Sequence, residues 1–255
     1  MTQDKLQNLT SEVQSIVKEV GDWVLSQQMV AKKLTEKEKG DYATDIDLGA
    51  ERRLVGALKT IAPEIGFETE EQTNGENDNG SGLRWVIDPI DGTKNYFRKL
   101  PLWSVNVALY DPGTKEIQIG VVYFPKHQDM FVAYKGGGAY RNGMKCQPSD
   151  VVDSKRAIVY GASPSISNGL RNLDYYNSLA KKFYRVRDLG HGAGLCYVAD
   201  GGYDAFIDVS GTTKNYDIMA SILIATEAGC DLVDFDFDKA IKNRSIIVTN
   251  GKLKV

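Results

Sequence analysis

Leu6, Leu9, Val13, Ile16, Val17, Val20 and Val24 recur at steps of three and four, the repeat that lays one apolar stripe along a helix, and they predict an amphipathic N-terminal helix. Seven of residues 32–41 (KKLTEKEKGD) are charged, and such a run is expected as a solvated, mobile loop. Thr44 and Asp47 have the spacing of a capping box, so a second helix is expected from there to Leu58. Alternating, β-rich runs at 104–110, 117–124 and 130–134, punctuated by Asp111-Pro112-Gly113 and Asn142-Gly143, read as an antiparallel meander. Beyond about residue 150 the texture changes to strands at 157–160, 185–188 and 205–209 alternating with helices at 170–184, 192–199 and 217–228, the pattern of an α/β layered half. Two halves are therefore expected: an α+β half, 1–150, and an α/β half, 151–255, that completes the site. Residues 74–82 (NGENDNGSG) read as a turn-rich surface loop.

One apolar run ends in chemistry. Trp85, Val86 and Ile87 have strand character and break into Asp88-Pro89-Ile90-Asp91-Gly92-Thr93, which predicts two carboxylates at the end of a buried strand, across a proline turn. Buried charges cost several kcal/mol unless neutralised, and a hard divalent cation, Mg²⁺, is the natural counterion for oxygen donors. Glu68 lies at what reads as another strand end, Asp217 at the start of the helix that runs to Thr226-Glu227-Ala228-Gly229, and Asp47 in the first turn of the second helix. An acid at a helix start is ordinarily a cap; gathered with Asp88 and Asp91, these acids would be untenable beside a phosphate monoester without cations. Two or three Mg²⁺ ions would neutralise them and activate a water to attack phosphorus. If 92–96 opens a helix, its free N–H groups face a phosphate, and the Thr93 hydroxyl, oriented by Asp47, can hold the attacking water in line.

Asp88-Pro89-Ile90-Asp91-Gly92-Thr93-x-Asn95 resembles the metal-binding signature of the inositol monophosphatase family of Mg²⁺-dependent, lithium-sensitive phosphatases. Tyr216-Asp217 with Thr226-Glu227-Ala228-Gly229 is similar to the second signature, Asp41-x-x-Thr44-x-x-Asp47 to a shorter element, and Gly136-x-Gly138-Ala139-x-x-Asn142-Gly143 to the family's hairpin, so the likeness covers nearly the whole chain. It implies a layered α-β-α-β-α sandwich, the sugar phosphatase fold, and a homodimer. It also implies metal ligation by Glu68, Asp88, the Ile90 carbonyl, Asp91 and Asp217, catalysis by Thr93, Asp47 and Glu68, and phosphate binding by Asp91, Gly92 and Thr93. The family's Gly-Glu-Glu is here Phe67-Glu68-Thr69-Glu70-Glu71, where Glu68 is chosen for its spacing to Asp88 and Glu70 is the alternative. Gly190, His191 and Asp208 are implied to face the leaving alcohol, although the segment after Asp208 (VSGTTKNY) departs from the inositol-specific pattern.

Composition narrows the rest. With 255 residues, 42% hydrophobic, the chain can bury a large core, and a net charge of -3 with no basic stripe argues against a nucleic-acid partner. Cys146, Cys196 and Cys230 are scattered without CxxC spacing, which suits a reducing cytoplasm, and no apolar run approaches the ~18 residues that span a bilayer. The expected activity is hydrolysis of a small phosphorylated polyol, inositol monophosphate first. Fructose 1,6-bisphosphate, adenosine 3′,5′-bisphosphate and NADP(H) are the alternative substrates, and a non-catalytic regulator keeping the fold is the rival from another class.

Overall fold

The computed structural model describes residues 1–255 except 30–33, 39–40, 73–80, 165–169, 171, 191, 212 and 234–244. The predicted stripe forms α1 (Gln3–Gln27), which buries Leu6, Leu9, Val13, Val17, Val20 and Val24. The charged run does not remain a loop: its described part forms β1 (Leu34–Glu38), paired antiparallel with β2 (Asp41–Thr44). LTEKE carries no apolar alternation, so the strand comes from pairing with its neighbour, which residue type does not report. Thr44 caps α2 (Asp45–Ile61) with the reciprocal bonds of a capping box.

β3 (Gly66–Thr69) and β4 (Arg84–Asp91) run parallel, and β4 continues antiparallel into β5 (Ser104–Asp111), β6 (Glu116–Phe124), β7 (Asp129–Tyr134), β8 (Gly138–Arg141) and β9 (Met144–Lys145), a seven-stranded sheet ordered as in the chain. The expected break after Ile87 is absent: β4 runs on through Pro89 to Asp91, with its pairing to β5 shifted between Asp88 and Asp91. Proline lacks the N–H that a ladder needs, and a bulge lets the strand pass it without ending.

Alternation sorts the side chains of this sheet. Trp85, Ile87, Val105, Val107, Leu109, Ile119, Val121 and Tyr123 pack with α1 and α2. Val86, Ala108, Val122 and Phe124 face the other way, toward α6 (Asn215–Ala228). Beyond α6 lies a second sheet ordered β11 (Arg185–Arg187), β10 (Ile158–Gly161), β12 (Ala205–Asp208), β14 (Ile246–Thr249), β13 (Asp231–Leu232). Its near-face Tyr160, Phe206, Ile246 and Val248 join the α6 core, together with the 3-10 turn Gly192–Leu195 and α5 (Cys196–Ala199). On its far face Val159, Ala205 and Ile207 pack with Leu179 of α4 (Leu173–Lys182). The layers are therefore α-β-α-β-α. Caught between two sheets, α6 is apolar on nearly every side, with all residues from Ile218 to Ala225 buried, as burial all round requires. Gly120 on β6 lets α6 lie close, since a Cβ there would stand 2.5 Å from the Ala220 carbonyl oxygen. The three cysteines are buried and free, and no helix among the described residues is long and apolar enough to cross a membrane.

Candidate active site

The site lies where β4 and β5 meet the N-terminus of α6. Asp88, Asp91 and Asp217 each offer a carboxylate oxygen there, all within 4.8 Å of one another. Asp88 is bent inward by its own strand: its Oδ1 accepts the Ile90 N–H at 3.0 Å across the proline. Asp91 is held from the other half of the chain, its Oδ1 accepting from Gly192 N at 3.2 Å and its Oδ2 from Ala193 N at 2.8 Å. Asp217 accepts the Lys214 N–H at 2.6 Å, which makes it the acid in the first turn of α6.

Burial, with the charges of Glu70, Asp91 and Asp217, holds the Asp88 carboxyl well above the usual carboxylate range. Asp217 is raised in the same direction, by loss of water and by Asp91, Glu70 and Asp208, while the Lys214 N–H pulls the other way. Glu70 stands close enough to the Asp88 carboxyl to add to that rise. Acids crowded closely enough to raise one another's pKa form a donor set suited to a hard divalent cation, which would neutralise them. The residues present fit Mg²⁺.

Sequence spacing favoured Glu68, but the structure sends its carboxylate to Asn215 Nδ2, 3.0 Å away, and brings Glu70 to Asp88. Both glutamates share the parity of one strand face, so alternation alone does not choose between them.

Beside the acids, the Thr93 hydroxyl lies 3.0 Å from Asp47 Oδ1 and 3.1 Å from the Ile90 carbonyl oxygen. One proton serves one acceptor at a time. Asp47 is fully buried, and its Oδ2 accepts from the Thr44 N–H at 2.8 Å and from the Thr44 hydroxyl, so it is a helix cap and a partner of Thr93 at once. Burial lifts its pKa to about 6 against the opposing Thr44 and Thr93 bonds, with Glu70 adding to the rise. Gly92 precedes the short helix α3 (Thr93–Phe97) at φ 94°, a left-handed conformation in which a Cβ would also stand 2.9 Å from the Leu102 carbonyl oxygen.

Among the residues expected at the leaving group, Gly190 donates its N–H to Asp188 Oδ1 at 2.6 Å, and its turn is tied to α3 by Asn95 Nδ2, 3.0 Å from the Leu189 carbonyl. His191 lies outside the described residues. Asp208 is buried, its carboxylate taken by the Ser210 N–H at 2.8 Å and by the Thr213 hydroxyl. Residues to which the sequence assigns no role are Asn95, Asp188, Asn215, the Gly192 and Ala193 amides, and the polar pair Ser104 and Asn106. That pair carries a signal, because it interrupts an apolar strand at i and i+2.

A family model described as the inositol monophosphatase family matches residues 3–255. The chain is 35% identical over 227 residues to a fructose-1,6-bisphosphatase/inositol-1-monophosphatase of Aquifex aeolicus, covering 86% of this chain and 83% of the relative. It is 34% identical over 205 residues to a Nus factor SuhB of Pasteurella multocida, covering 79% and 75%. Among solved structures, the extragenic suppressor protein suhB of Bartonella henselae superposes with a TM-score of 0.86 at 25% identity, covering 96% of this chain and 94% of that one.

Proposed function

The chain belongs to the inositol monophosphatase family, and on that premise we propose that it is a Mg²⁺-dependent phosphomonoesterase acting on a small phosphorylated polyol, with inositol monophosphate the first candidate. The observation that carries this reading is the convergence of Asp88, Asp91 and Asp217 beside a Thr93 hydroxyl backed by buried Asp47. A regulator without catalysis has no need to bury that chemistry.

Glu70, Asp88, the Ile90 carbonyl, Asp91 and Asp217 would hold two or three Mg²⁺ ions. When bound, the metal supplies charge neutralisation and Lewis acidity toward phosphate and water. Thr93 orients the attacking water through its hydroxyl oxygen while its proton is directed to Asp47, the acceptor left once Ile90 is engaged elsewhere. Asp91, Gly92 and Thr93 line the place of the phosphate. Glu68 acts indirectly, by fixing Asn215 at the start of α6. Asp208 shapes the leaving-group side by anchoring Ser210 and Thr213, and Gly190 belongs to that rim. The halves 1–150 and 151–255 each contribute ligands, and we expect a homodimer in the cytoplasm.

The name of the Aquifex relative keeps fructose 1,6-bisphosphate in view as a substrate, and that of the Pasteurella relative keeps a regulatory role in view. One assay separates them: phosphate release from a panel of about twenty phosphomonoesters and bisphosphates, with Mg²⁺ and with EDTA. Metal-dependent turnover of a polyol monophosphate is expected. Preference for a bisphosphate would move the substrate assignment, and absence of turnover on every ester would leave the regulatory reading.

A further inference from the structure

β5 carries a polar pair that the fold does not need. Val105, Val107 and Leu109 face α1 and α2, while Ser104, Asn106 and Ala108 face α6. Ser104 and Asn106 are 0% and 1% exposed, and a buried hydroxyl or amide costs about 1–3 kcal/mol unless hydrogen-bonded. Both are bonded, and in one direction. Ser104 Oγ donates to Asn106 Oδ1 at 2.9 Å, which turns the amide so that Nδ2 points away from Ser104. Nδ2 stands 3.3 Å from Asp91 Oδ2 and 3.4 Å from the Asp217 main-chain oxygen. An amide nitrogen has two protons, so one group can serve both acceptors. In the ladder Asn106 lies opposite Asp88 and Ser104 opposite Asp91.

We propose that Asn106, oriented by Ser104, is a positioning residue for the metal centre. It is bound at once to the carboxylate of one proposed ligand and to the backbone of another, one on β4 and one on α6, and so sets their separation across the two halves of the chain. With the Gly192 and Ala193 amides it gives Asp91 three N–H donors from two segments. A carboxylate held in this way does not swing out to relieve repulsion from Asp88 and Asp217, and the cation meets ligands already in place. The inference rests on the Mg²⁺ reading above.

The test is direct titration of the full chain with Mg²⁺ by calorimetry, for wild type, Asn106→Leu, Ser104→Ala and the double variant, alongside the Mg²⁺ dependence of phosphate release. Asn106→Leu, which keeps the same branched skeleton of side-chain heavy atoms, is expected to weaken Mg²⁺ binding about 10- to 100-fold, the range for outer contacts to metal ligands. Ser104→Ala, which touches no ligand, is expected to weaken it about 2- to 10-fold, as loss of a neutral hydrogen bond does, and to have no effect in the Asn106→Leu background, because it acts through the amide. The half-saturating Mg²⁺ concentration for turnover should move in parallel, with KM for the ester unchanged at saturating metal. Wild-type affinity in Asn106→Leu, or an equal effect of Ser104→Ala in both backgrounds, overturns the proposal. Should Asn106→Leu fail to fold, unchanged Mg²⁺ affinity in Ser104→Ala overturns it and a weakened affinity supports it. A wild-type chain that binds no Mg²⁺ overturns the metal reading and this inference together, whereas intact wild-type binding with unaffected variants overturns this inference alone.

Discussion

Thr93→Ala is the substitution that asks most of the site. The hydroxyl stands 3.0 Å from a carboxylate oxygen of Asp47, which is 0% exposed, so its loss removes one of the bonds that hold a buried acid. A hydrogen bond to a charged group is worth about 1.5–3 kcal/mol. If that orientation is felt in the transition state, kcat should fall about 10- to 150-fold at saturating Mg²⁺. Mg²⁺ affinity should change far less, because Thr93 is not among the proposed ligands. Thr93→Ser keeps the hydroxyl and drops only a methyl group, so it should recover most of the rate. The pH profile gives a second readout. The Thr93 bond lowers the Asp47 pKa, which burial has already lifted to about 6, so its removal should push that group higher and carry the acid limb of kcat toward neutrality. The measurements are kcat on inositol monophosphate between pH 5 and 9 and calorimetric titration with Mg²⁺. Near-normal kcat in Thr93→Ala would reduce Thr93 to a structural donor, and a Thr93→Ser enzyme as slow as Thr93→Ala would mean that volume, not the hydroxyl, is what matters.

Glu70→Gln should weaken Mg²⁺ binding by at least about tenfold, whereas Glu68→Gln should leave it nearly unchanged, since Asn215 donates as well to an amide oxygen; calorimetry on the pair decides which glutamate serves the metal, and the reverse order would restore Glu68. Asp91→Asn removes one of the three converging carboxylates and is expected to abolish turnover; substantial turnover at saturating Mg²⁺ would refute the ligand set. In EDTA the folded chain should lose stability as pH rises. Asp47 has a folded pKa of about 6 against an ordinary carboxylate value of about 3.9, so the native state binds the extra proton between those values. That contribution is retained below about pH 4 and lost by about pH 6, a change on the order of 3 kcal/mol. Asp88 and Asp217, also raised, act in the same sense. Melting curves from pH 4 to 8 should show the slope in wild type and a shallower one in Asp47→Asn, and a melting temperature that climbs through this window would contradict the buried-acid account. Gly120→Ala should destabilise by about 1–3 kcal/mol in urea titrations, because its Cβ would meet the Ala220 carbonyl at 2.5 Å; an unchanged midpoint would mean that α6 shifts freely over the sheet.

What the sequence determined by itself is what depends on near neighbours. The three-four repeat from Leu6 to Val24, the Thr44–Asp47 capping box and the alternation of β5, β6 and β7 are local patterns, and the elements they predict are present with boundaries moved by a few residues. The Asp88 to Asn95 motif was legible for the same reason, since a carboxylate pair astride a proline and a glycine is a local arrangement. Tertiary structure decided whatever depends on which surfaces meet. A strand's parity says that Glu68 and Glu70 share a face, but only the position of α6 sends one to Asn215 and the other to Asp88. β1 exists because β2 pairs with it, not because LTEKE favours a strand, and β4 passes Pro89 because its pairing with β5 shifts there. Asp208 is implied by the family resemblance to face the leaving alcohol, yet the chain turns Ser210 and Thr213 back onto it. Ser104 and Asn106 look like flaws in an apolar strand until α6 and Asp91 are placed above them. Periodicity encodes the face a side chain occupies, whereas its partner is set by packing between segments more than a hundred residues apart, as Asn106 and Asp217 are.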